Sequence, residues 1–522
     1  MLQSALRTNR EYTPWASFVC GMGLTFLTAS ASAAEELGEP QPSAIKIDEA
    51  DLKRHASFLA SDTLEGRQAG SRGGQAAAAY LVNELKRMGL QPAGPNQQYR
   101  QSFGANYTNV LAQLPGNDAR QTGEVILLGA HYDHVGYGSP QNSYGPIGRI
   151  HNGADDNASG VSLLLEIAEC LAQAPSRPRT ILFAFWDAEE IGLLGSQYWV
   201  EHPTVDRRQL KFAINMDMIG RLRNDEVTVM GWRTAAGLRN RIVDHNTQTR
   251  LQFKFDWEVT SDSDHHAFYT ARIPVIHFDT GKHDDYHRPS DDVERLNWPG
   301  MQRLGNLVAQ LVDDAARNST LPGFRLESWN ERRQAWPQPA RQSPPTRFGL
   351  TWRPEAAQQG IIEVSRVTAD SPAERLGLKP GDRLLEFGDW SNGNLLDLRS
   401  TIAISSGEIP VAWISTPAGE VQRGTVRLGG EPILIGMTYR QDSALPGCGV
   451  IETVIETSPA DRAGLLPGDV LRELHGALIP LPSEFLARLQ TMPREIVIQG
   501  ERRGLPFIST LKLPPLATVR AD

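Results

Sequence analysis

Cysteine is almost absent from this chain, with three in 522 residues. Cys20 lies in an N-terminal stretch with the marks of a removable leader, and Cys170 and Cys448 fall in segments assigned to different domains. A disulfide is therefore not expected, and a thiolate metal site is excluded by count. Any metal must be held by imidazole and carboxylate. Basic runs are missing too. The 52 Lys and Arg stand against 61 Asp and Glu, a formal net charge of −9, so nothing favours nucleic acid or an anionic membrane surface as partner. The apolar stretch Ala16–Ser30 falls short of the roughly 20 residues of a membrane span and contains Gly, Ser and Thr. Arg7 and Arg10 precede it and Ala31-Ser-Ala-Ala34 follows, so residues 1–34 read as an export signal. The mature protein is then expected to be secreted or periplasmic, with no membrane span. Three catalytic signatures are also lacking: the Gly-x-Ser-x-Gly elbow, the His-Glu-x-x-His helix and the Gly-x-x-x-x-Gly-Lys phosphate loop.

What the chain does have is a set of short polar segments, most of them directly after an apolar run. They read Gly-Ala-His131-Tyr-Asp133, Gly-Ala-Asp155-Asp156-Asn157, Trp186-Asp-Ala-Glu189-Glu190, Asn215-Met-Asp217 and Asp285-Tyr286-His287. The runs Val125–Leu128, Ile181–Trp186, Phe212–Ile214 and Pro274–Phe278 are short, as strands buried on both faces should be. Helical patterns at Ile47–Leu59, Gly73–Met88 and Ala158–Leu171 alternate with them. The expectation is an α/β domain over residues 45–320, three-layered, with a mostly parallel central sheet. In such sheets ligands gather at the carboxyl ends of the strands, where these polar segments fall.

Residues 321–345 change character toward Pro, Arg, Gln and Trp and read as a linker. Beyond it the chain repeats itself. Ser371-Pro-Ala-Glu-Arg-Leu-Gly-Leu-Lys-Pro-Gly-Asp382 recurs 87 residues later as Ser458-Pro-Ala-Asp-Arg-Ala-Gly-Leu-Leu-Pro-Gly-Asp469. Phe348-Gly349-Leu350 and Ile435-Gly436-Met437 keep the same offset. Two copies of one small module, over 346–429 and 430–516, are expected rather than a solenoid.

Imidazole and carboxylate suit zinc, and a bridging carboxylate can hold two such ions about 3.5–4 Å apart around one water. That pair lowers the pKa of the water and polarises a carbonyl, but a base must still take the proton. Adjacent Glu189 and Glu190 on a sharp turn can divide the work, one onto metal and one toward the water. Asp133 can accept the second ring N–H of a ligating His131. Alone, each segment has a plain reading: a solvated Glu pair, a helix N-cap at Asp155–Asn157, a satisfied histidine. Their joint placement at strand ends is what argues for a site.

At this point the residues resemble the secreted di-zinc aminopeptidases, metallopeptidases with a phosphorylase/hydrolase-like α/β fold. The resemblance includes Leu64-Glu-Gly-Arg67, Gly70-Ser-Arg-Gly73, Asn109-Val-Leu, Ser263-Asp264-His265 and His287-Arg-Pro-Ser-Asp291. It implies two Zn2+ per chain, one held by His131, Asp156 and Asp217 and the other by Asp156, Glu190 and His287. It makes Asp156 the bridge, Glu189 the general base and Tyr286 the oxyanion stabiliser. It also implies a cis bond between Asp156 and Asn157. The repeated modules resemble PDZ domains, which implies small β-rich folds and C-terminal peptides as ligands besides the peptide substrates. Other amide hydrolases on this scaffold (a carboxypeptidase, a glutaminyl cyclase) are alternatives. So is a peptide-binding scaffold whose hydrolase-like domain is only a platform.

Overall fold

The computed structural model describes residues 46–513 except 105, 119–120, 122, 175–176, 319 and 392. The expected export signal, with Cys20, lies outside the described residues. Among them, no helix is long and apolar enough to cross a membrane. Cys170 and Cys448 are both free.

The first part of the chain builds a mixed α/β sheet. Its strands are β1 (Gln91–Pro92), β2 (Arg100–Phe103), β3 (Tyr107–Leu114), β4 (Val125–His131), β5 (Thr180–Trp186), β6 (Leu210–Met216), β7 (Glu226–Met230), β8 (Gln252–Phe255) and β9 (Val275–Asp279). The order is β1-β3-β5-β4-β6-β9-β7-β8, with β2 on the side of β3. The four apolar runs read from the sequence are the central strands β5, β4, β6 and β9, all mutually parallel. The outer strands break the expected pattern: β3 joins β5 antiparallel and β7 joins β9 antiparallel. The sheet is therefore mixed, not mostly parallel.

Helices cover both faces. They are α1 (Glu49–Leu59), α2 (Arg72–Arg87), α3 (Gly160–Gln173), α4 (Leu194–Glu201), α5 (Leu238–Thr249), α6 (His265–Thr270) and α7 (Trp298–Arg317). Strand alternation divides the core accordingly. On β5, Ile181, Phe183 and Phe185 join the cluster containing α1, α3 and α7, while Leu182, Ala184 and Trp186 join Trp199 of α4 and Phe268 of α6. Helix α3 is apolar nearly all round because it is buried between the sheet and its neighbours, with Leu163, Leu164, Leu165 and Ile167 all fully buried. Gly89 closes α2 in the left-handed region at φ 76°. The parallel register sets His131 beside Trp186 at the strand ends, and Met216 beside Phe278. Every polar segment of interest follows one of those ends or opens α3.

Residues 321–345 are more structured than a linker. They form short 3-10 turns at Leu326–Trp329 and Arg333–Ala335 and a strand at Ala340–Gln342, and Arg325 and Ser328 are buried. The two C-terminal modules are small and β-rich, each with its own apolar cluster. Their repeated residues do the same jobs. Ser371 and Ser458 each cap a short helix, accepting from Glu374 N–H and Asp461 N–H. Asp382 and Asp469 each accept a backbone N–H three residues back, from Lys379 and Leu466, at 2.8 Å.

The second module is welded to the α/β domain. Arg233 forks onto buried Asp442 at 2.6 and 2.9 Å, and Ala444, Leu445 and Val470 belong to the domain's own core. The hairpin tip Arg502–Leu505 lies along β8: Phe253 N–H donates to Arg503 O at 2.7 Å, and Asn246 Nδ2 donates to Gly504 O at 2.8 Å.

Candidate metal centre

Three overlapping groups of ligand-type atoms converge at the carboxyl ends of β4, β5 and β6, one of them His131, Glu189 and Glu190. Of the other two, His131, Asp156 and Asp217 form the first, and His134, Asp156, Glu190 and His287 the second, with all donor atoms in each lying within 4.8 Å of one another. Asp156 belongs to both. Its Oδ1 is 3.3 Å from His131 Nε2, and its Oδ2 is 3.0 Å from His287 Nε2. Asp217 Oδ1 completes the first group at 3.2 Å from His131 Nε2. Glu190 Oε2 completes the second at 3.1 Å from His287 Nε2. One carboxylate presenting its two oxygens to two separate clusters is the geometry of a bridge.

The imidazoles show whether cations fit. His287 Nδ1 lies 2.8 Å from Asn142 O, so the ring proton belongs on that nitrogen. Nε2 is then the nitrogen that faces the carboxylate oxygens of Asp156 and Glu190, at 3.0 and 3.1 Å. Lone pair against carboxylate is repulsive unless a positive charge lies between them. Burial works against a charged ring, yet Asp156 and Glu190 outweigh it and hold the His287 imidazole up at about 11. The field that draws a proton there draws a divalent cation in the same way. Reciprocally, burial opposes ionisation of Asp156, but His131 and His287 keep its carboxyl well below the ordinary range.

Local backbone geometry carries these side chains. Asp155–Ser159 lie in an irregular turn ahead of α3, which contains the cis bond between Asp156 and Asn157. Asp291 Oδ2 accepts both Asp155 N–H at 2.9 Å and Asp156 N–H at 3.1 Å, and Asn157 Nδ2 donates to Met216 O at 3.0 Å. After β5 the chain turns through Ala188, whose φ of 60° is left-handed. Asp187 fixes that turn by accepting Thr108 N–H at 2.7 Å and Ala188 N–H at 3.0 Å. The turn presents both glutamates to the site, their carboxylates within 4.8 Å of each other and of His131. Glu190 joins Asp156 and His287, whereas Glu189 lines the adjoining pocket, its carboxyl near His131. Burial, reinforced by Glu190 and Asp217, pushes the Glu189 carboxyl well above its usual range.

Asp133 is placed differently from the expected partner of His131. Its carboxylate accepts Glu189 N–H at 3.1 Å and Glu190 N–H at 3.4 Å, so it holds the two-glutamate turn. His131 Nδ1 is nearer to the backbone carbonyl of Asp133, at 3.2 Å, than to its carboxylate, at 3.7 Å. The contact to His131 is thus shared between the two. Tyr286 lines the pocket and stacks on His287 with ring centroids 3.9 Å apart.

Two residues have clear structural roles that the sequence does not assign. His134, three places after His131, puts Nδ1 2.7 Å from Glu190 Oε1 and is fully buried. Its ring packs so closely on Gly153 that a Cβ there would approach within 2.5 Å. Arg67 is the other. Its buried guanidinium donates to four backbone carbonyls, those of Leu59, Tyr132, Asn152 and Gly153, at 2.6–2.9 Å. Burial pulls it down to about 10, so it remains a cation behind Asp156, Asp133 and Glu190. It ties the loop after His131 to the loop before Asp156.

Residues 109–312 match Peptidase family M28. The aminopeptidase YwaD of Bacillus subtilis is 30% identical over 211 residues, which cover 38% of this chain and 43% of that protein. The leupeptin-inactivating enzyme 1 of Streptomyces exfoliatus is 25% identical over 401 residues, covering 71% of this chain and 82% of that one. Among solved structures, a zinc aminopeptidase from Bacillus subtilis aligns with a TM-score of 0.43 and 16% identity, over 53% of this chain and 97% of that one. This chain thus spans less than half the length of the Bacillus aminopeptidase YwaD.

Proposed function

We propose that the α/β domain is a zinc-dependent aminopeptidase acting on the N-termini of peptides. The observation that carries it is the double cluster joined by Asp156, within a segment matching Peptidase family M28. The aminopeptidase description of the Bacillus relative points the same way.

In this reading His131, Asp156 and Asp217 hold one zinc, and Asp156, Glu190 and His287 hold the other. Zinc in such a site activates water and polarises the substrate carbonyl. The chain supplies the rest. Glu189, buried beside the ligands, takes the proton of the attacking water and returns it to the leaving amine. Its raised pKa suits a base that must also act as an acid. Tyr286, at the pocket wall, supplies a hydroxyl to the oxyanion. Asp133 keeps both glutamates in register through their backbone N–H groups, and Asp291 does the same for Asp155 and Asp156.

His134 is a positioning residue for Glu190 in this scheme. His134→Ala should weaken zinc binding about 10–100-fold, the usual effect of losing a partner that orients a ligand. Competition with a calibrated chelator measures it; unchanged affinity would remove His134 from the scheme. The reading as a whole is tested with the full-length chain. Leucine should be released from leucyl peptides, stop on chelation and return on zinc add-back. Chelator-insensitive release, or none with zinc loaded, would sink it.

The two C-terminal modules fit PDZ domains that bind peptide C-termini. In the first, a groove of about 430 Å3 runs between Phe348–Trp352 and the helix bearing Leu395 and Ile402. Its edge strand Leu350–Trp352 pairs on one side, with Ile362–Val367, among the described residues. The other edge is open to an added strand. Export to the periplasm or the medium rests on the leader read in residues 1–34.

A further inference from the structure

The loop between β8 and α6 separates two cavities. One is the catalytic pocket, which reaches Asp262 and Ser263. The other, about 410 Å3, is walled by Trp257, Tyr269 and Trp329, with Thr260, Thr270 and Arg332 at its edge. That volume is within the usual range for a side-chain or small-ligand pocket. Its aromatic walls are held in place. The Arg233 guanidinium lies 3.8 Å from the Trp257 ring centroid, and Arg233 is itself anchored by Glu331 and Asp442. Arg272 lies 4.7 Å from the Trp329 ring centroid. Tyr269 donates its hydroxyl to Ser328 O at 3.2 Å and meets Trp329 edge-on, with centroids 6.4 Å apart. Walls already fixed lose little entropy when a ligand enters.

The two cavities are neighbours through a very short piece of chain. Thr260 lines the aromatic cavity and Asp262 the catalytic pocket, and Thr260 Oγ1 donates to Asp262 Oδ1 at 2.7 Å. Two residues of backbone span at most about 7 Å. A peptide leaving the catalytic pocket across this loop, at about 3.3–3.6 Å per residue, reaches the aromatic walls within two or three residues.

We propose that this cavity is a downstream subsite, which takes an aromatic side chain carried by the peptide substrate two or three residues beyond the bond being cleaved. The proposal rests on the peptidase reading and deepens it by naming a substrate class: peptides of at least three or four residues with an aromatic residue behind the N-terminus. Ring-on-ring contact in a preformed pocket supplies the preference.

The test compares Leu-Gly-Gly-Phe with Leu-Gly-Gly-Gly, and Leu-Gly-Phe-Gly with the same control, on the zinc-loaded full-length protein. The better aromatic peptide should exceed the glycine peptide roughly tenfold in kcat/KM, mostly through KM. Trp329→Ala should bring that ratio to about one. Thr270→Trp, at an exposed position on the rim, should do the same by filling the cavity. Because the readout is a ratio on one preparation, partial misfolding does not imitate it. Calorimetry of the same peptides on zinc-loaded Glu189→Gln protein reads binding apart from turnover. Tighter binding of an aromatic peptide, lost on adding Trp329→Ala, supports the subsite even if no leucine is released by the unaltered enzyme, a result that would refute the peptidase reading alone. Equal binding and equal rates for all three peptides, or a preference that survives both substitutions, would overturn the subsite.

Discussion

Glu189→Gln is expected to lower kcat by about 100- to 10,000-fold with both zinc positions still filled. The substitution keeps the size and shape of the side chain while removing its charge and basicity and turning one acceptor oxygen into an NH2 donor. Glu189 is not in the group that contains Asp156 and His287, so the bridge should hold, although its carboxylate lies within 4.8 Å of His131 and Glu190. Its backbone N–H, not its carboxyl, is what Asp133 holds, so the turn carrying Glu190 should also survive. The two readouts must come from the same sample: zinc by elemental analysis and kcat on a leucyl substrate. Near-normal turnover would remove Glu189 from the base role. A variant that loses zinc along with activity would instead make it a ligand.

Asp156→Ala should do the opposite and empty both metal positions. Its two carboxylate oxygens lie 3.3 and 3.0 Å from His131 and His287, so one deletion strips a ligand from each cluster. It also leaves Asp217 facing His131, and Glu190 facing His287 and His134. Asp217→Ala, by comparison, touches a single cluster and should cost one zinc. Elemental analysis after dialysis is therefore expected to give close to zero, one and two ions for Asp156→Ala, Asp217→Ala and the unaltered protein. Equal loss from the two variants would refute a bridging Asp156. Activity should vanish in the first and fall steeply in the second.

The parts of the site that could be read from the sequence were those with a local signature. His131, Asp156, Glu190 and Asp217 each follow an apolar strand or open a helix, and the strands were recognisable because they are buried on both faces. Supporting contacts were not legible for a physical reason. Arg67 acts on four backbone carbonyls, and a carbonyl leaves no trace in residue identity. His134 meets Glu190 from 56 positions away, and a lone histidine beside a recognised motif carries no such address. The outer sheet strands went unread for a related reason. β7 and β8 are short and half-exposed, and nothing local in Glu226–Met230 says that it pairs antiparallel to Val275–Asp279. Residues 321–345 looked like a spacer because Arg, Trp and Pro are read as exposed. Here Arg325 is covered by bonding to Arg233 O and Glu331.

The hairpin tip Arg502–Leu505 lies against β8, the last strand of the large sheet, where Gly504 approaches Phe253 so closely that a Cβ would fall 2.2 Å from the ring. An outermost strand is ordinarily a sticky seam along which separate molecules can zip together. Here a distant stretch of the same polypeptide plugs that seam. Shortened versions ending after the α/β domain would therefore bare it, and strip Asp442 from Arg233 as well. Their poor solubility would report a missing plug and say nothing against the catalytic residues.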